Sequence, residues 1–341
     1  MKTVRIGRRL VGEGQQAYII SEAGINHNGF ISLALNMVRK SKAIGADCIK
    51  FQKRTIEDIA IKRMIVASHK NKLDALNGLL EFEKKDYDKI VAECKRLKID
   101  FSASVWDIKS ADFIAKYNPT FIKIASADLT NLPLLEHVAK LKFPIILSTG
   151  MATIPEIDTA VKLITKYNKK LILLQCSSSY PSKFTDIHLK GIDFLKKRYN
   201  IPVGYSGHEP GIHIPLAAVA LGACVIEKHV TISKTLPGPD QKASNDFIEY
   251  GNMVKQIKDI ESAMQERQTN VLKNEQFVRK LLVKSLVTAR DIKKGEKIRH
   301  GDLTLKAPGD GLTAGHRAYF INKRARRNLS RDYQIKTKDV K

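Results

Sequence analysis

Long apolar runs are the first thing this chain lacks. No stretch of its 341 residues approaches the roughly 18 consecutive apolar residues that a membrane-crossing helix needs. The N-terminus, Met1 to Arg9, is basic, but no apolar core precedes Glu13, so a secretory leader is not expected. Cysteine is scarce as well. Cys48, Cys94, Cys176 and Cys224 are dispersed, without the close pairs of a metal finger, and three of them sit in or beside apolar strands. They read as small core residues in a reducing cytoplasm. A glycine-rich phosphate turn of the dinucleotide-binding kind is missing too. Acidic residues run short: 35 against 59 Lys and Arg, a net charge of +24, which raises nucleic acid as a partner. Against that partner, the lysines are spread through every helix, and no aromatic-rich binding module accompanies the strongest cluster, Lys323-Arg-Ala-Arg-Arg327. A solvated basic surface fits better, and such a surface also draws an anionic substrate.

What is present is a rhythm. Eight short apolar runs recur along the first part of the chain: Tyr18–Glu22, Cys48–Gln52, Phe101–Val105, Phe121–Ser126, Ile145–Thr149, Leu171–Ser177, Val203–Ser206 and Val225–Val230. Each is rich in Val, Ile, Leu or Phe, as strands buried on both faces are. Segments of helical periodicity separate many of them, among them Ile31–Ile44, Lys85–Lys98, Pro155–Tyr167 and Ile212–Ala223. Eight strand–helix units predict a (β/α)8 TIM barrel over residues 1–265, with a doubly wound open sheet as the structural alternative. Residues 53–83 form a longer insertion after the second strand, of which Arg54–His69 is expected to be partly helical and to lie over the barrel mouth. The polar stretch 266–281 reads as a linker, and 282–341 as a small β-rich domain of short strands and turns.

Barrel active sites are built where the strands end. Glu22 ends the first strand, Lys50 and Gln52 the second, and Lys123, Ser126 and Asp128 the fourth. Ser148 closes the fifth, Ser178 and Tyr180 follow the sixth, Ser206 and His208 end the seventh, and Glu227 and His229 the eighth. Two lysines with hydroxyls beside them suit a small phosphorylated carboxylate. Two histidines on neighbouring parallel strand ends, without cysteine, suit a divalent ion that keeps positions open for water or substrate oxygen. Glu22 and Asp128 supply carboxylates for proton transfer or for holding sugar hydroxyls. Taken singly, a strand-end lysine can equally be solvated and a strand-end serine can cap a helix; their shared edge is what points to a site.

Several stretches together carry a family resemblance: Ser21-Glu-Ala-Gly-Ile-Asn-His-Asn-Gly29, Ala46-Asp-Cys-Ile-Lys-Phe-Gln52, Lys123-Ile-Ala-Ser-Ala-Asp128, Leu147-Ser-Thr-Gly-Met151, Gln175-Cys-Ser-Ser-Ser-Tyr-Pro181, Gly204-Tyr-Ser-Gly-His208, Glu227-Lys-His229 and Pro237-Gly-Pro-Asp240. The chain resembles the sialic acid synthase family over nearly its whole length, and its tail resembles that family's antifreeze-like SAF domain. The resemblance implies condensation of phosphoenolpyruvate with N-acetylmannosamine or a related N-acyl hexose, with release of phosphate. It implies that His208 and His229 hold Mn2+ or Mg2+. Lys50, Lys123, Ser126, Ser148, Ser178 and Ser206 would bind phosphoenolpyruvate, and Glu22, Gln52, Asp128, Tyr180 and Asp240 would face the sugar, with Glu22 steering proton transfer. A homodimer is implied as well, in which the tail of one copy covers the barrel mouth of the other. The chain departs from many bacterial members by carrying Asp128 for Glu, Ser178 for Asn, and Ala307 where they have Arg. Two other functions are weighed beside this one: a phosphoenolpyruvate-condensing barrel that makes a shorter 3-deoxy sugar acid, and a basic nucleic-acid-binding protein.

Overall fold

The computed structural model describes residues 2–68, 78–266 and 269–341. They fall into two compact units, 1–265 and 266–341. The first opens with an antiparallel hairpin, β1 (Thr3–Ile6) and β2 (Arg9–Gly12). Among the described residues, eight parallel strands then follow: β3 (Tyr18–Gly24), β4 (Cys48–Lys53), β5 (Asp100–Val105), β6 (Ile122–Ile124), β7 (Ile145–Ser148), β8 (Leu171–Cys176), β9 (Val203–Gly207) and β10 (Val225–Thr231). Each pairs with its successor, and β10 pairs with both β9 and β3, which closes the sheet into the barrel that the eight apolar runs predicted. A two-residue strand, β11 (Asn245–Asp246), pairs in parallel with the last two residues of β10, Val230 and Thr231.

The crossover helices are α1 (Ile31–Ala43), α2 (Ile56–Ile59), α3 (Lys62–Ser68), α4 (Lys84–Leu97), α5 (Ile108–Ala115), α6 (Leu132–Lys140), α7 (Ile154–Tyr167), α8 (Gly191–Tyr199), α9 (His213–Ala220) and α10 (Phe247–Ala263). Their starts follow capping chemistry. The Asp246 carboxylate accepts the Ile248 and Glu249 N–H groups at 2.9 Å, and Glu156 accepts the Thr153 N–H at 2.7 Å with Pro155 in the first turn of α7. In the insertion, α2 and α3 supply the expected partial helix; His69, the end of that expected stretch, lies outside the described residues.

Strand alternation divides the apolar residues into two cores. One face of the strands packs against the helices, with Ile19, Ile49, Phe51, Ile122, Ile145, Leu173 and Ile226 among its buried residues. The other face points into the barrel, where Tyr18, Ile20, Cys48, Ile146, Ile172, Leu174 and Val225 pack on Val4, Ile6 and Val11 of the hairpin. The hairpin therefore plugs the end of the barrel at which the strands begin, and was not foreseen in the sequence.

The second unit has its own core of Leu286, Ile292, Ile298, Leu303, Phe320, Ala325, Leu329, Ile335 and Val340. Its backbone is mostly turns and isolated bridges around one antiparallel pair, β12 (Ser285–Thr288) with β13 (Leu303–Lys306). The stretch read as a linker, 266–281, is not all irregular: its last residues and Leu282 form a helix, α11 (Gln276–Leu282), that exposes Phe277 and Leu282.

Candidate active site

The inward face of the barrel changes character along each strand. Ile20 gives way to Glu22, Cys48 to Lys50 and Gln52, Ile146 to Ser148, Leu174 to Cys176, and Val225 to Glu227 and His229. All of these follow one period-2 file, so the packing that buries the apolar plug also aims the polar groups at one point. They surround a cavity of about 210 Å³ together with Ser104, Trp106, Lys123, Ser126, Met151, Ser178, Tyr180, Ser206 and His208.

Four charges run across the cavity floor, each nearly inaccessible to solvent. Lys50 forms an ion pair with Glu22 and stands 3.7 Å from Glu227; Lys123 stands 3.7 Å from the other oxygen of Glu227. Hydroxyls complete the network. Lys50 donates to Ser104 Oγ at 2.7 Å, Lys123 to Ser148 Oγ at 2.8 Å, and Ser206 to Glu227 at 3.1 Å. Gln52 donates to Glu22 at 3.2 Å. Burial pushes the Glu22 carboxyl up to about 7, with help from Glu227 and against the pull of Lys50. Burial acts on Glu227 in the same direction, but Lys123 and Lys50 outweigh it and hold that carboxylate below its usual range. Lys123 is lowered by burial, whereas Lys50, also buried, is held up by Glu22 and Glu227. The arrangement keeps two cations and one firm anion in place, beside a carboxyl able to exchange its proton near neutrality.

Beside the lysines, Gly150 leaves room that a side chain would fill. A Cβ there would stand 2.3 Å from Ser178 Oγ and 2.9 Å from Ser126 Oγ, and the Gly150 N–H donates to Ser126 Oγ at 3.0 Å. Bare backbone thus lets two hydroxyls converge in the cavity that Lys123 and Ser148 also line, a donor cluster suited to phosphate oxygens.

Across the mouth, the rings of His208 and His229 lie 5.5 Å apart between centroids, and Tyr180 packs on His208 at 4.0 Å. His208 Nδ1–H donates to the Ser177 carbonyl at 2.8 Å, which leaves Nε2 as a lone-pair donor. Among the described residues, His229 Nδ1 is buried without a hydrogen-bond partner. Burial, followed by the neighbouring His208 and Lys50, holds the His229 ring well below its ordinary pKa, so it stands neutral.

Two of the sequence candidates stand apart from this group. Asp128, in the 3-10 turn after β6, does not line the cavity; Asn131 donates to its Oδ1 at 3.1 Å, and burial pushes it up to about 6. Asp240 also lies outside the lining, at the start of the turn that leads into β11, where burial raises its pKa. The structure adds lining residues that sequence reasoning passed over. Ser104 lies at the end of β5 and Trp106 just after it, at a strand end that drew no candidate, although the alternation through Ser102 and Ser104 marks an inward file. Cys176 was read as a core residue, and Glu227 stood at its strand end without a role.

Comparison with known proteins identifies this architecture. The model of the NeuB family matches residues 37–269, and that of the SAF domain matches 283–341. N,N'-diacetyllegionaminic acid synthase of Campylobacter jejuni is 38% identical over 332 residues, covering 94% of this chain and 99% of that protein. N-acetylneuraminate-9-phosphate synthase of Drosophila melanogaster is 33% identical, covering 93% of this chain and 94% of that protein. The crystal structure of the N-acetylneuraminic acid (sialic acid) synthetase of Leptospira borgpetersenii, in complex with citrate, superposes with a TM-score of 0.74 at 34% identity, over 81% of this chain and 94% of that one. With a family match across more than half of its length, and relatives of 33% and 38% identity along nearly all of it, the chain belongs to the NeuB family.

Proposed function

We propose that the protein condenses phosphoenolpyruvate with N-acetylmannosamine or a related N-acyl hexose, forming a nonulosonic acid and releasing phosphate. The observation that carries this reading is the pair of buried lysines, Lys50 and Lys123, braced by Glu227 and ringed by serine hydroxyls in one barrel mouth. Such a pair suits a small ligand bearing both carboxylate and phosphate, and the relatives named above are synthases of this class of sugar acid.

In the proposed reaction, carbon 3 of phosphoenolpyruvate attacks the aldehyde carbon of the open-chain sugar. Water adds at carbon 2, and phosphate leaves by C–O cleavage. Lys50 and Lys123 hold the anionic ends in line, which turns an encounter of two substrates into a positioned attack. Ser126, Ser148, Ser178 and Ser206 fix the oxygens of phosphoenolpyruvate. Glu22, with its pKa near 7, gives the proton that the new hydroxyl requires. Gln52 and Tyr180 face the incoming sugar, with Asp128 and Asp240 further out.

The donor set fits a divalent ion, Mn2+ or Mg2+. The rings of His208 and His229 lie 5.5 Å apart between centroids. His208 Nδ1 is engaged by the Ser177 carbonyl, which leaves Nε2 as a lone-pair donor, and His229 Nδ1 is buried with no protein partner among the described residues. Among the described residues no third His, Cys, Asp or Glu joins them, so water or substrate oxygens would complete the shell. Held by His208 and His229, the ion would supply a Lewis acid at the aldehyde oxygen. The four cysteines are free and buried, which supports a cytoplasmic setting. A dimer in which one copy's SAF domain covers the other's mouth belongs to the same proposal.

The test is product analysis by mass spectrometry, with phosphoenolpyruvate, Mn2+ and a panel of hexoses with and without N-acyl groups. A nonulosonic acid and stoichiometric phosphate are expected from an N-acyl hexose, with activity lost on chelation and regained with metal. Turnover restricted to sugar phosphates that yield shorter 3-deoxy acids would overturn the reading.

A further inference from the structure

Behind the two histidines lies a pair of charges that the reaction does not use. Because side chains alternate along a strand, the neighbour before inward-facing His229 on β10 faces outward, into the layer between barrel and helices, and the neighbour after His208, just past the end of β9, meets it there. Those neighbours are Glu209 and Lys228. Both side chains are wholly inaccessible, with Lys228 Nζ 3.0 Å from Glu209 Oε1. Lys228 Nζ also donates to the backbone carbonyl of Glu209, and the Tyr205 hydroxyl donates to Glu209 Oε2 at 2.7 Å. Across the ladder Lys228 is paired with Gly207, where a Cβ would stand 2.6 Å from Glu209 Oε2. Glycine at that position is what lets the carboxylate fold back against the strand.

Stability does not account for this pair. Taking two charges out of water commonly costs as much as their attraction returns, and well-packed apolar residues of similar size often do as well or better. An ion pair with two further hydrogen bonds offers direction: it ties the residue after His208 to the residue before His229 at fixed length. We propose that the Glu209–Lys228 salt bridge is a positioning device that sets the spacing of His208 and His229. The affinity of this mouth for a divalent cation then depends on a pair that never touches the cation. The inference rests on the reading of the two histidines as ligands. It identifies Glu209 and Lys228 as positioning residues for that site.

The experiment uses full-length protein freed of metal, titrated with Mn2+ alone and followed calorimetrically and by the electron paramagnetic resonance of free Mn2+. Wild type, Lys228→Met, Glu209→Gln, the double Lys228→Met/Glu209→Met, and His229→Ala are compared, with thermal melts of each. Wild type should bind one Mn2+ per chain, and His229→Ala none. Each single variant should bind at least about tenfold more weakly, the scale seen when a partner behind a metal ligand is lost. The double variant should recover the melting temperature lost in the singles without recovering Mn2+ affinity. In turnover, the Mn2+ concentration for half-activation should rise with it, while the KM for phosphoenolpyruvate at saturating Mn2+ stays within about twofold. If the single variants do not fold, the double variant decides alone. Wild-type Mn2+ affinity in a folded variant overturns the inference and leaves the ligand reading standing. Binding to wild type that survives in His229→Ala, or no binding to wild type, overturns the ligand reading and the inference with it.

Discussion

His27 lies in the loop between β3 and α1, stacked on Phe82 with ring centroids 3.9 Å apart. The Gly29 N–H donates to its Nδ1 at 3.2 Å, so the neutral ring serves as an acceptor. Burial, with the Arg54 guanidinium adding to it, pushes its pKa down to about 3. Linkage then gives a sign. Below pH 6.5 the unfolded chain protonates this histidine while the native protein does not, so its contribution to stability is present above 6.5 and is lost as pH falls toward 3. The slope reaches about 1.4 kcal/mol per pH unit. Glu22 and Asp128, both raised, lean the opposite way over part of this range, so the wild-type curve alone hides the effect. His27→Phe keeps the stack and removes the titration, and the difference between the two proteins isolates it. Urea unfolding at pH 7.5, 6, 5 and 4.5 should show wild type losing about 2–3 kcal/mol relative to His27→Phe between the ends of the series. A difference that does not change with pH would mean that His27 is not held neutral.

At the scale of elements, the eight barrel strands were legible because each is an apolar run buried on both faces, and their ends could be read in register from there. The β1–β2 hairpin was not. Its strands are four residues each, Thr-Val-Arg-Ile and Arg-Leu-Val-Gly, and only the inward set of Val4, Ile6 and Val11 is apolar and buried, so composition gave no run to see. The site shows the same division. Lys50, Lys123 and the histidines announced themselves by standing at strand ends, whereas Lys228 was hidden between Glu227 and His229, its function set by an outward face that only the closed barrel defines. The hairpin carries a prediction of its own. Ile6 is fully buried in the plug while Leu10, on the same hairpin, is 41% exposed. Ile6→Ala should destabilise the barrel by about 2–5 kcal/mol, and Leu10→Ala should fall within about 0.5 kcal/mol of wild type. Denaturant midpoints measure both. Turnover of Ile6→Ala well below its melting temperature should stay close to wild type, because the plug and the mouth lie at opposite ends of the strands. Equal costs for the two variants would show that the hairpin does not seal the barrel.

For the whole molecule, each unit has its own hydrophobic core, so residues 1–265 should fold without the rest. Folding and function are expected to part company here. The segment 282–341 holds sixteen Lys and Arg against six Asp and Glu, a net ten of the chain's +24. Such a surface suits a cover for an anionic substrate, and excluding water would strengthen each charge contact beneath it. The connecting stretch has less reach than a fully extended linker, because the seven residues of α11 span about 10 Å as helix instead of about 23 Å extended. If the cover is shared between two copies, complementation exposes it. The truncated chain 1–265 should melt cooperatively yet lose most of its kcat/KM, and full-length His229→Ala should be folded and inactive. Mixed and allowed to exchange subunits, the two inactive proteins should regain activity, because the tail of the His229→Ala chain then lies over the intact mouth of the truncated one. Sedimentation of the mixture should show the mixed dimer at the same ratio that maximises turnover. A truncated chain that is monomeric and fully active would refute the cover. A mixture that forms mixed dimers but stays inactive would place each tail over its own barrel.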